Sequence, residues 1–363
     1  MKLLRRLLFT GLLSAAPFVQ AEQPFHVYAP SHTTGKLLVV SATPSAGGLE
    51  LKLAQEIKVG FPLSTITQHP TKPLLYLAPP SGEKGKAKGA VITLQNDGTY
   101  LRHAEVNFTH PSAYLSLDRT HRFLLSADYG KGFVDVYPLD AAGLPGKPVT
   151  ALNEGRPTAH CIRTSPDNRF AYVSYVKENN ALYQYRFDAK TGQMTALEPK
   201  NAGPPEGTGP RHMAFHPSKP VLYFSNEQQL GISAYHLEPS GQLKLRQVCD
   251  AVGKNEPRDG VSSSDLIVTP DGRFLFAGIR GHTRPFDWIS RYRVKENGDL
   301  ELLGLTPADK VPWGLALSPT GQHLLVTAFD GATLTAFKIT AAGDLAKAGS
   351  LTWEKQIFAI VTR

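Results

Sequence analysis

Hydrophobic and polar residues alternate along this chain in short runs of period two, and a glycine-bearing turn follows each run. Residues 133–137 lead to Gly143, 181–187 to Gly192, 232–237 to Gly241, 289–294 to Gly298 and 334–339 to Gly343. Alternation closed by such a turn predicts β-hairpins. A second kind of run reads strand, tight turn, strand, and recurs at residues 67–76, 117–125, 163–172, 214–223, 267–276 and 316–325. Registered on the turn proline, the anchors are Pro70, Arg119 (in the proline's place), Pro166, Pro217, Pro270 and Pro319, at steps of 49, 47, 51, 53 and 49 residues. A repeat near fifty residues, carrying four short strands, predicts an all-β propeller of four-stranded antiparallel blades.

The two ends set the blade count. Residues 358–363 read as the first strand of a further unit, whereas residues 25–30, 35–41 and 49–59 read as three strands lacking a first one. Joined, they make a seventh blade, and the predicted fold is a seven-bladed propeller closed by pairing of its N- and C-terminal segments. Such closure leaves no innermost edge unpaired. Because a single blade cannot bury both faces, residues 25–363 are expected to form one body. The 28 prolines and 32 glycines fit a turn-rich β protein. Residues 81–89, rich in glycine and lysine, read as a solvated hairpin loop.

The first 21 residues read differently. Lys2, Arg5 and Arg6 precede an apolar stretch over 7–19, and small residues end it before Glu22. This predicts a signal peptide over residues 1–21, cut between Ala21 and Glu22. The apolar stretch is short for a membrane span, so no stable membrane insertion is expected after cleavage. The mature protein is expected in the periplasm or outside the cell, as a monomer. Losing Lys2, Arg5 and Arg6 lowers the formal net charge from +8 to +5. No clustered basic stripe accompanies that charge, which argues against a nucleic-acid partner. Cys161 and Cys249 fall on an inner and an outer strand of different blades, which argues against a disulfide between them. The chain has no Cys-x-x-Cys, His-x-His or His-Glu-x-x-His spacing, so neither a metal nor another cofactor is expected.

Used as a ruler, the repeat gathers chemistry. Six residues before each anchor, at the start of the inner strand, stand Ser64, Ala113, His160, Arg211, Ser264 and Trp313. Ten residues after, at the end of the antiparallel second strand, stand Pro80, Tyr129, Val176, Glu227, Arg280 and Phe329. Both sets belong at one mouth of the central channel. Titratable and charged groups collect in three successive blades as His160, then Arg211 with Glu227, then Arg280, walled by Tyr129 and Trp313. Two guanidiniums suit a carboxylate, a phosphate or a developing oxyanion, and His160 or Glu227 suits proton transfer from water. Each residue also has a plain structural use: an ion pair for Arg211 and Glu227, a buried hydrogen-bonded histidine for His160, a rim charge for Arg280.

The blocks His160 to Asn168, Gly209 to Pro217, Ser225-Asn-Glu227, Asp265 to Arg273 and Arg280-Gly-His282 resemble the seven-bladed propeller lactonase family. That family includes bacterial propeller-type 6-phosphogluconolactonases and fungal muconate-lactonising enzymes. The resemblance implies functional roles for His160, Arg211, Glu227 and Arg280, and His212, Asp265 and His282 fall in its blocks as expected substrate contacts; Tyr129 and Trp313 are expected to contact substrate as the walls the repeat places at the mouth. Asp265 reads more readily as a turn or strand-end hydrogen-bond partner than as a catalytic group. The chain departs from the family's pattern at Thr158, which stands where a histidine is common, and at Trp313 and residues 327–330 in the last blade. The expectation is an exported hydrolase of a sugar-derived or anionic lactone, with a small-molecule lactone or organic acid as its partner. The alternatives are a non-catalytic binding or scaffold propeller and a lactone-forming cycloisomerase.

Overall fold

A computed structural model describes residues 21–79, 87–254, 256, 258–281 and 287–363. The expected signal peptide, most of the 81–89 loop and His282 therefore lie wholly or largely outside the described residues. The described chain forms seven four-stranded antiparallel sheets. Each of the last six blades uses four consecutive strands, as in Pro210–Phe215, Val221–Asn226, Gly231–Leu237 and Leu243–Asp250 of the fifth. A single 3-10 turn, Lys177–Asn179, is the only helical element among the described residues. No helix there is long and apolar enough to cross a membrane.

Burial follows the strand's place in its blade. The second strands Phe170–Tyr175, Val221–Asn226 and His323–Ala328 are buried at every residue, while the outermost strand Leu243–Asp250 is largely exposed. A strand covered on both faces reads as a largely apolar run, and here the covers are the neighbouring blades. One cluster joins Val134 and Val136 of the third blade to Ile162, Val173 and Tyr175 of the fourth. Another joins Tyr172 and Leu182 of the fourth to Met213, Leu222 and Phe224 of the fifth. A repeated latch adds direction to this packing. Tyr28, Tyr172 and Tyr223 each donate a hydroxyl hydrogen to a turn carbonyl of the next blade, Gly98, Gly241 and Gly298, at 2.7 Å. The turn at Gly241 needs glycine, because its φ is 90° and a Cβ there would strike Phe170.

The first blade is closed as expected, by a shorter strand than expected. Val361–Thr362 lies innermost, pairing antiparallel with Phe25–Pro30 through Val27↔Thr362 and Tyr28↔Val361. Two backbone bonds between His26 and Arg363 and a bridge between Ser31 and Ile357 flank that pairing. Residues 358–360 leave the ladder because Phe358 joins Trp313 and Phe329 in an aromatic cluster, at 5.2 and 5.0 Å between ring centres. At the outer rim the first and last blades cross backbone to backbone, since a Cβ at Gly48 or Gly349 would collide with the carbonyl of Ala348 or Leu49. The N-terminal segment is clipped too. The Glu22 carboxylate accepts hydrogen bonds from Ser318 Oγ (2.6 Å), Thr320 Oγ1 (2.7 Å) and His323 Nδ1 (3.1 Å) of the seventh blade. Both cysteines are free.

Candidate active site

The innermost strands surround a cavity of about 750 Å3 that follows the central channel. Its upper mouth is built where the repeat places it, but the local backbone is not a regular strand. The ladders between first and second strands shift register between Ala159 and Cys161, Pro210 and Met213, Ser263 and Leu266, and Pro312 and Leu315. The bulged residues of these four blades are therefore His160, Arg211 with His212, Ser264 with Asp265, and Trp313 with Gly314. A bulge carries an unpaired residue and re-aims side chains. In the fifth blade both Arg211 and His212 line the cavity, and in the sixth Asp265 does so. Ser264, the residue the repeat selects, is buried instead and donates its hydroxyl to the Pro312 carbonyl at 2.8 Å.

Of the positions read from the repeat, Ser64, Ala113, Tyr129, His160, Arg211, Glu227 and Trp313 line the cavity. Val176 is fully buried away from it, and Phe329 stacks behind Trp313 at 4.8 Å. Arg280 is 3% exposed and stands behind the wall. Its Nη2 donates to Glu227 Oε1 (2.6 Å) and to the Ser263 carbonyl (2.8 Å), and its guanidinium lies 4.5 Å from the Trp313 ring centre.

Arg211 occupies the front of this group. It is 1% exposed, its Nε stands 3.5 Å from Glu227 Oε1, and neither Nε nor Nη1 has a hydrogen-bond partner. Burial, and then the charge of Arg280, lower its pKa to about 10, so it is cationic at neutral pH. Burial works against the charge of Glu227, but Arg211 and Arg280 outweigh it and hold the carboxyl below its ordinary value. Glu227 is thus an ionised counter-charge shared by two guanidiniums.

Beside Arg211 sits a dyad. His212 Nδ1–H donates to Asp265 Oδ1 at 2.7 Å, while Asp265 Oδ2 accepts the Leu315 N–H at 3.1 Å. Burial disfavours the Asp265 carboxylate, yet His212, the Leu315 N–H and Arg211 more than offset it and keep the group ionised. Burial, then Arg211, lower the pKa of His212 against the pull of Asp265, leaving a neutral ring whose other nitrogen is not engaged by Asp265. His160 lies 5.0 Å from the His212 ring and 5.5 Å from Tyr129. Burial, then Arg211, push its pKa well below the ordinary histidine value, and its Nδ1 has no partner. Among the described residues, no group of three His, Cys, Asp or Glu side chains is placed to hold a metal ion.

The family described as "Lactonase, 7-bladed beta-propeller" matches residues 26–357. The chain belongs to that family. Among propeller lactonase relatives, it is 34% identical over 233 residues to a 6-phosphogluconolactonase of Cronobacter sakazakii, covering 63% of this chain and 67% of that one. It is 31% identical over 283 residues to a 6-phosphogluconolactonase of Klebsiella pneumoniae, covering 76% and 80%. The fold is shared with a solved periplasmic gluconolactonase of Pseudomonas aeruginosa, with a TM-score of 0.82 and 19% identity over 94% of this chain and 99% of that one. A putative 6-phosphogluconolactonase of Bacteroides fragilis gives a TM-score of 0.79 and 18% identity, with 94% and 98% covered.

Reading the sequence missed several groups in this lactonase channel. Tyr114 meets His212 edge-on at 5.1 Å. Lys177, held at φ 55° on the rim, carries its ammonium 5.5 Å from the Tyr129 ring centre. Arg163 and Arg119 line the channel farther down. Arg163 had a signal: three residues before each anchor it is the one charged residue among Thr67, Ser116, Arg163, Ala214, Ile267 and Ala316.

Proposed function

We propose that this protein is an exported lactone hydrolase in which His212, oriented by Asp265, is the general base and Arg211 stabilises the oxyanion. The observation that carries the reading is the pairing of a neutral, carboxylate-held histidine with an adjacent buried guanidinium whose Nε and Nη1 lack hydrogen-bond partners. Water bound against the free nitrogen of His212 attacks the lactone carbonyl carbon, and its proton passes to that nitrogen. Charge then develops on the carbonyl oxygen, where Arg211 donates; Glu227, Arg280 and Trp313 keep that guanidinium in place. Collapse of the tetrahedral intermediate breaks the bond from the carbonyl carbon to the ring oxygen. The imidazolium returns its proton to that oxygen, giving a hydroxy acid that ionises beside the arginine. His160, neutral and with an unbonded Nδ1, orients the substrate.

The family relatives named as 6-phosphogluconolactonases support lactone hydrolysis as the chemistry. The leader-like residues 1–21 and the fold shared with a periplasmic gluconolactonase support an exported location. The test is hydrolysis of a panel of aldonolactones, phosphorylated and not, by the protein beginning at Glu22. His212→Ala is expected to lower kcat/KM by about 10²–10⁴-fold, and Arg211→Met by about 10²–10³-fold. A folded wild type that hydrolyses none of them would overturn the proposal. Loss of ultraviolet absorbance from an added muconate would then point to lactone formation instead.

A further inference from the structure

The channel continues past the upper site to the mouth where the innermost strands turn, and two more guanidiniums stand there. Arg163 lies on Ala159–Thr164, three residues beyond His160, hence about 10 Å farther down the strand. It is half-buried, and its Nη1 donates to the Met213 carbonyl at 3.1 Å. Arg119 occupies the rim in the place where the other repeats carry proline. It donates to the carbonyls of Ser165 (3.2 Å) and Thr164 (3.3 Å), and its guanidinium lies 5.6 Å from the Phe215 ring centre. Both arginines and Phe215 line the same cavity.

Acids act on them only from beyond ion-pair distance: Asp118 raises the proton affinity of Arg119, and Asp265 that of Arg163. Among the described residues neither Arg119 nor Arg163 forms an ion pair, in contrast to the upper site, where Glu227 and Asp265 oppose Arg211 and Arg280. The nearby acids are committed elsewhere. Asp118 accepts bonds from Thr120, Asn168 and the backbone of Arg122 and Phe123, and Asp265 serves His212 and Leu315. Arg119 loses proton affinity to burial and next to the charge of Arg163, so the two cations sense each other. Their bonds to carbonyls fix both forks while leaving most of the N–H groups for a ligand.

We propose that Arg119 and Arg163 form a second binding site at the lower mouth, for an oxyanion of the phosphate class. Two forks beside an apolar floor, Phe215, suit a dianion better than a monocarboxylate, because each guanidinium can engage its own pair of oxygens. The anion is either free phosphate or a phosphoryl group on a molecule that also reaches the dyad. Arg163 bonds to the carbonyl of Met213, the residue after His212, so the two sites lie within one small molecule's length.

The experiment is calorimetric titration of inorganic phosphate into the mature protein, its Arg163→Met and Arg119→Met variants and His212→Ala. Saturable binding, weakened about tenfold or more by either arginine substitution and retained in His212→Ala, is expected. Binding that is absent in the wild type, or indifferent to both arginine substitutions, overturns the site. Arg163→Lys, which keeps charge and bulk, is expected to bind with intermediate affinity and covers the case of a methionine variant that fails to fold. A second arm, which rests on the hydrolase reading, compares KM for phosphorylated and unphosphorylated lactones. A rise in Arg163→Met for the phosphorylated one alone assigns the site to the substrate's own phosphoryl group. Equal KM values together with lost phosphate binding assign it to the free ion. Phosphate binding by a protein that turns over no lactone retains this site and rejects the hydrolase reading.

Discussion

At the scale of the residue, the upper site is defined by who neutralises whom. Glu227 serves two guanidiniums, so it is unsuited to delivering a proton near neutral pH, and in the proposed reaction the neutral His212 is the base. Because the His212 pKa is lowered, kcat/KM is expected to stay level through neutral pH and fall only below the ordinary histidine value, as the ring takes up a proton. Asp265 raises that pKa, so Asp265→Asn is expected to move the acid limb to lower pH while also reducing kcat; a pH–rate profile of the two proteins checks both signs. Glu227 gives a stability prediction. Its folded pKa lies below 4.5, so its stabilising contribution is complete above that value and is lost as pH falls through the folded pKa. Glu227→Gln is expected to cost about 3 kcal/mol at pH 7, by leaving two buried cations unpaired, and to show a shallower loss of Tm on acidification than wild type. Melting curves from pH 3 to 8 decide it. The repeat brings His160, Arg211 and Glu227 to the cavity because it numbers equivalent positions, whereas Arg280, expected at the mouth with them, stands behind the wall because it turns onto Glu227 and the Ser263 carbonyl. The dyad was less so, because the bulge sets whether the residue six or five before the anchor faces the channel.

The elements show where the repeat is a good guide and where it fails. Strand order, blade composition and the terminal closure follow from alternation and turn chemistry, which are local. The four bulges do not, since each adds a residue on one strand without disturbing the fifty-residue spacing. Residues 358–360 likewise alternate as a strand would, but tertiary packing of Phe358 on Trp313 and Phe329 overrides the ladder. The Glu22 clip is another tertiary feature that has no sequence signature, because its partners lie some 300 positions away. Glu22→Ala is expected to destabilise the protein by about 2 kcal/mol, given several hydrogen bonds to one ionised carboxylate. Activity should be unchanged, as the clip holds the seventh blade and not the channel. Chemical denaturation alongside a lactone assay tests the pair of expectations.

The whole molecule is held in a ring by contacts its two ends make with each other. Removing residues 357–363 takes away the inner pairing with Phe25–Pro30 and the bridge from Ile357 to Ser31. The expected outcome is aggregation or a large fall in Tm, unlike the mild effect of trimming an ordinary frayed terminus. A truncated protein melting as the full chain does would show that the rim crossing at Gly48 and Gly349 closes the ring by itself.

The composite first blade also dictates an order of events in time. Its three N-terminal strands are made first, yet their inner neighbour arrives only with the last residues of the chain. Until then Phe25–Pro30 presents an open row of backbone donors and acceptors, which other chains can pair with. A chain interrupted before Val361, by stalled synthesis or by a nick, keeps that open row. With Val361–Thr362 in place that row is covered along Val27 and Tyr28, and without it the row stays open.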